Sequence, residues 1–114
     1  MSVDEIIEKY PRLFPDGHPR CGFHIGAGWL PIVDKLFSDI LSLCRSKCIR
    51  VPEVTQVKEK FGTLRIYVST NSPAIREMID EVEAITYEIC EDCGAPGRLR
   101  GEGWARTLCD KCST

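Results

Sequence analysis

Two Cys-x-x-Cys pairs, Cys90-Glu-Asp-Cys93 and Cys109-Asp-Lys-Cys112, stand fifteen residues apart near the end of this 114-residue chain. Two thiolates at that spacing can grip one metal ion from a tight turn, and two such pairs complete a tetrahedron of sulfur. Gly94, directly after Cys93, supplies backbone freedom that lets amide groups face the sulfurs. Between the pairs, Gly97 to Leu108 reads as a short hairpin turning at Gly101-Glu102-Gly103. The pattern predicts a zinc ribbon over residues 90–114, with a single Zn2+ held by Cys90, Cys93, Cys109 and Cys112. Four sulfur ligands leave no position for water or substrate, so the ion is expected to staple the fold and not to react. No Glu or His of the knuckles is read as a proton carrier.

A staple suits a chain this short, because small domains bury too little surface to be stable by core packing alone. The hydrophobic share of 43% is that of a folded domain and excludes general disorder. The longest apolar run, Gly28 to Val33, stops at Asp34, far short of a membrane span. Met1-Ser-Val-Asp-Glu is too acidic for a secretory or organelle-targeting leader. Seven cysteines, an odd number, fit metal ligands and buried thiols in a reducing cytoplasm better than a disulfide framework.

Ahead of the ribbon, residues 1–89 read as an α+β body in the order helix, helix, β-hairpin, helix. Ser2 with Glu5 is a capping box, and Val3, Ile6, Ile7 and Tyr10 share a helical side up to Pro11. Phe14 to Gly28, with its prolines and glycines, reads as a long irregular loop. A second helix is predicted from about Trp29 to Cys48, where Trp29, Ile32, Val33, Leu36, Phe37, Ile40, Leu43 and Cys44 repeat with the helical period. The period then falls to two: Val54–Phe61 and Thr63–Ser69 flank Gly62 as a hairpin. Ser72-Pro73 opens a third helix, with Ile75, Met78, Ile79, Val82, Ile85 and Ile89 on its expected buried side. A lone hairpin has two open edges, so pairing between two chains into a homodimer is expected.

The net charge of −2 is unevenly spread. Arg45 to Arg65 carries six cations against two acids, and Ala74 to Asp92 one cation against seven acids. Such polarity fits an anionic ligand on the basic side, head-to-tail contact between copies of the chain, or simply two solvated faces. On the hairpin, Lys58, Lys60 and Arg65 interleave with Phe61 and Tyr67, a combination that can hold phosphates and stack bases. These residues, with Trp29 as a further ring, are the candidate ligand-binding set. Arg98, Arg100, Trp104 and Arg106 repeat the combination on the ribbon and form a candidate nucleic-acid or partner surface. Gly26-Ala-Gly-Trp29 is a glycine-rich helix start, read first as a tight turn and second as an anion contact. His18, Cys21, His24, Cys44 and Cys48 are candidates for a second metal site, or for a Cys–His enzyme built on Cys21.

At Gly26-Ala-Gly-Trp29, Gln56-Val-Lys-Glu-Lys-Phe-Gly-Thr-Leu-Arg-Ile-Tyr-Val68 and Cys90-Glu-Asp-Cys-Gly-Ala-Pro-Gly-Arg-Leu-Arg100, the chain resembles small zinc-ribbon proteins encoded by bacteriophages and prophages. The resemblance runs from about Cys21 to Cys112. It implies a bacterial host cytoplasm and an accessory role, of which blocking a host defence is a common kind. The expected function is non-catalytic: binding a host defence protein or an anionic nucleotide signal. Locally, the cysteine-rich end is also similar to that of DksA/TraR-type regulators of RNA polymerase, which gives the alternative of a nucleic-acid- or polymerase-associated protein. Those regulators use a long antiparallel coiled coil, and here a hairpin follows the second helix.

Overall fold

A computed structural model describes residues 1–114 and shows a mixed α+β chain with three α-helices and two small sheets. Helix α1 (Val3–Lys9) starts at Ser2, whose Oγ accepts from Glu5 N at 3.2 Å. Strand β1 (Phe23–His24) follows, then a 3-10 turn (Ala27–Trp29) and helix α2 (Leu30–Lys47). Strands β2 (Glu53–Lys60) and β3 (Thr63–Ser69) form the hairpin, and α3 (Pro73–Ile85) opens on the cap Ser72. A 3-10 turn (Thr86–Glu88) leads to β4 (Arg98–Arg100) and β5 (Arg106–Leu108), the second sheet.

The apolar stripe of α2 buries Leu30, Val33, Leu36, Phe37, Ile40 and Cys44 against the sheet. From β3, Leu64, Ile66 and Val68 meet it, as the alternating pattern requires. From β2, Val54 and Val57 are both buried although they stand three positions apart, an odd spacing that would put them on opposite faces of a regular strand. A bulge between Val54 and Gln56 makes this work, because one extra residue returns the side chains to the same face. Phe61 and Gly62 connect the strands with φ of 53° and 84°. Two positive φ values define the hairpin turn that matches strand twist.

The long loop is more ordered than its composition suggests. Leu13 and Phe14 are fully or nearly fully buried, and Phe14 packs edge-on to Phe37 at a centroid distance of 5.8 Å. Phe23 and His24 pair in parallel with Val57 and Lys58, so the hairpin becomes a three-stranded sheet in the order β1-β2-β3. Cys21 N donates to Thr55 O at 2.8 Å and Val57 N to Gly22 O at 3.0 Å, which occupies the β2 edge.

The β3 edge is occupied by side chains from α3 and the turn after it. Leu64 N donates to Thr86 Oγ1 at 3.0 Å, Ile66 N donates to Glu83 Oε2 at 2.9 Å, and Arg76 donates to Val68 O at 3.3 Å. Both long strands of the hairpin are therefore flanked within one chain, β2 by the short β1 and β3 by side chains, which weakens the open-edge reason for pairing two hairpins. Ile85, expected on the buried side, is 46% exposed; the fully buried residue at this end of α3 is the polar Thr86. No helix is long and apolar enough to cross a membrane.

Candidate metal centre

The two cysteine pairs converge as their spacing requires. The sulfurs of Cys90, Cys93, Cys109 and Cys112 all lie within 4.8 Å of one another. Cys93 and Cys109 sulfurs are 3.6 Å apart, close to the roughly 3.8 Å that a tetrahedral ion with bonds of about 2.3 Å imposes. The strands β4 and β5 pair antiparallel between the knuckles, and Cys112 N donates to Cys109 Sγ at 3.4 Å.

The donor set favours a cation. Burial opposes ionisation of Cys90, but the backbone N–H groups of Cys109, Cys93 and Asp92 outweigh it and bring the thiol down to about 6. Cys109 is lowered chiefly by the N–H of Cys112. Cys112 is pushed up to about 12 by the neighbouring sulfurs, Cys109 first. Four thiolates crowded together repel, and a divalent ion removes that repulsion. The residues therefore fit a four-coordinate metal with all four positions filled by protein.

The cysteine unit is locked onto the body through its first knuckle. Gly28 N donates to Glu91 O at 2.7 Å, and Gly26 N to the Glu91 carboxylate at 3.0 Å. A Cβ at Gly28 would come within 3 Å of backbone atoms of Cys90, Glu91 and Gly94, so only glycine permits this approach. That contact is the role of Gly26-Ala-Gly28; nothing anionic is needed to explain it. Trp29 is fully buried, and its indole N–H donates to Ile89 O at 2.9 Å. It is a core residue beneath the knuckle, and its ring is not available to stack a ligand. Glu91, which the spacing of the cysteines gave no reason to single out, is buried within the knuckle as the acceptor for this loop. At the other side, Thr107 Oγ1 donates to Gly62 O at 2.5 Å and Leu99 lies against Gly62.

The remaining candidates divide. Lys58 and Arg65 stand directly opposite one another in the β2–β3 register, and Lys58 Nζ lies 5.8 Å from the Tyr67 ring centroid. Lys60 Nζ is likewise 5.8 Å from the Phe61 ring, which is 64% exposed. None of these three cations forms an ion pair, and the Arg65 Nε is buried without a partner. On the ribbon, Arg100 is held by Asp110 at 2.5 Å and by Leu108 O, and Arg106 by Asp92 at 2.7 Å and by Glu91. These two arginines brace the unit; Arg98 and Trp104, 93% exposed, remain open.

His18, Cys21, His24, Cys44 and Cys48 are not gathered into a metal-holding group. His18 Nδ1 contacts Asp16 O, Cys44 is buried in the α2 stripe, and no hydrogen bond joins Cys21 to either histidine. Comparison with protein-family models, curated proteins and solved structures finds no match.

Proposed function

We propose that this protein is a non-catalytic binding protein in which one Zn2+ on the four cysteines is scaffolding. On this reading the open sheet face beside the metal unit receives a ligand that combines phosphate with a flat ring, as a nucleotide or a nucleic-acid strand does. The carrying observation is the Lys58–Arg65 pair, set opposite in register with neither cation in an ion pair. Like charges directly opposite on a sheet lower stability. A counter-charge arriving as ligand removes that penalty, while Tyr67 and Phe61 offer ring faces next to the cations.

Four sulfur ligands leave the ion no position for substrate, which supports a structural role. The resemblance to phage-encoded zinc-ribbon proteins supports an accessory role in a bacterial host, with capture of a nucleotide signal of host defence as its form. A longer strand has a second favourable contact: the ribbon tip with Arg98 and Trp104 adjoins the hairpin turn through Thr107 and Gly62.

The test is titration of metal-loaded protein with mononucleotides, cyclic dinucleotides and short single strands, read by calorimetry. Lys58→Glu with Arg65→Glu is expected to abolish binding while the far-ultraviolet circular dichroism stays unchanged. Trp104→Ala is expected to weaken strands and to leave mononucleotides unaffected. Unaltered affinity in the double charge-reversal variant would end this reading.

A further inference from the structure

A broad hollow lies away from that face, at the opposite end of β2 and β3. It encloses about 1410 Å³ between the end of α2 with the Ile49–Glu53 connection and the segment from Ser69 to Ala74. Four cations from separate parts of the chain line it: Arg12 after α1, Lys47 in the last turn of α2, Arg50 in the connection, and Arg76 in α3. None of the four makes an ion pair. The one acid of the lining, Glu53, is already taken by Arg20 at 3.0 Å. Arg76 donates to Val68 O at 3.3 Å, which ties its guanidinium to the sheet and leaves its other donors unused.

In a chain of net charge −2, four cations without ion pairs around one concavity run against the sign of the whole molecule. A single phosphate engages one or two such groups; four spread along a groove match charge distributed over neighbouring phosphates. The lining also has apolar residues, Leu43, Ile49, Val51 and Val68, against which an uncharged body can lie. Small-molecule pockets span about 300–1,000 Å³, so this hollow admits a ligand of nucleotide size. We infer that the groove is a second binding site, for a small polyanion carrying two or more adjacent phosphates. It is separate from the open sheet face: Glu53 and Lys58 are five residues apart along β2, about 17 Å.

Metal-loaded, isotope-labelled full-length protein titrated with tripolyphosphate, ATP and orthophosphate tests this by amide chemical shifts. Shifts are expected at Lys47–Arg50 and Thr70–Arg76, with tripolyphosphate at least about tenfold tighter than orthophosphate. Arg50→Glu with Arg76→Glu should weaken tripolyphosphate by about tenfold or more, whereas Lys58→Glu with Arg65→Glu should change it less than about twofold. Arg50→Gln with Arg76→Gln provides a milder pair in which the amide can still donate to Val68 O. Tighter ATP than tripolyphosphate assigns the apolar lining to the base, and equal affinities assign the site to the phosphate chain alone. Shifts confined to Lys58–Arg65 overturn the groove and leave the open-face reading standing. No shift at all, or equal affinity for orthophosphate and tripolyphosphate, also overturns it.

Discussion

Gly28→Ala isolates the contact between knuckle and body. Gly28 does not require a positive φ, so alanine carries no backbone strain there and the whole effect is steric. The added methyl meets three backbone atoms of the first knuckle, Cys90 O, Gly94 N and Glu91 O, none of which can swing aside as a side chain could. Overpacking of this kind costs about 1–3 kcal/mol. If the knuckle retreats, the Gly28 N–H loses its acceptor Glu91 O, and a buried donor left unsatisfied costs about 1–3 kcal/mol more. The sum, roughly 2–6 kcal/mol, is a large part of the 5–15 kcal/mol typical of a domain. Urea unfolding at fixed saturating zinc measures it, and metal transfer to a chromophoric chelator should run faster in the variant. Gly103→Ala is the control: it is also in the cysteine unit, has φ of 82° and nothing near its methyl, so it should cost only about 1 kcal/mol. A Gly28→Ala protein within about 0.5 kcal/mol of the parent, with unchanged metal release, would refute the steric argument.

Elemental analysis should find one zinc per chain, and its removal by chelator should unfold residues 90–114 first, seen as loss of amide exchange protection at Thr107 and Leu108. Glu83→Gln should hold or raise stability at neutral pH. Burial pushes the Glu83 carboxyl up, so it is the charged form that the fold tolerates poorly, whereas an amide oxygen can still accept from Ile66 N. The stability that Glu83 gives is complete below its unfolded pKa and declines as pH rises through the raised folded value; the Gln variant should lack this decline. Tyr10→Phe should lower stability by about 1–3 kcal/mol, because the phenol donates to the Asp34 carboxylate at 2.5 Å. The Tyr10 hydrogen bond, with that of Lys9, holds Asp34 below the usual carboxylate range. Its share of stability is therefore present above the unfolded pKa near 3.8 and fades as pH falls through the lower folded value, a fading that Tyr10→Phe should reduce.

The legible parts of this fold were those encoded within one segment. The α2 stripe, the caps Ser2 and Ser72, the alternation of β3 and the cysteine spacing each depend on neighbours a few residues away. What the sequence hid depends on distant backbone. Phe23–His24 becomes a strand only because β2 offers it an edge, and two residues carry no period. Trp29 reads equally as anchor or as exposed ring until Ile89 O is placed beside its indole. Arg100 and Arg106 read as free cations because Asp110 and Asp92 reach them across the folded unit. The four groove cations span Arg12 to Arg76, too dispersed for any charge window to collect.

The two borders of the main sheet have a consequence for how the chain can associate. β2 is flanked by the two-residue β1 and β3 by Glu83, Thr86 and Arg76, so neither long strand of the hairpin presents a row of free amides as a template for strand addition. A peptide that binds by extending a sheet finds both long strands already flanked, and the same residues obstruct the strand addition by which bare strands nucleate fibrils. What the hairpin leaves open to solvent is side chain, not backbone.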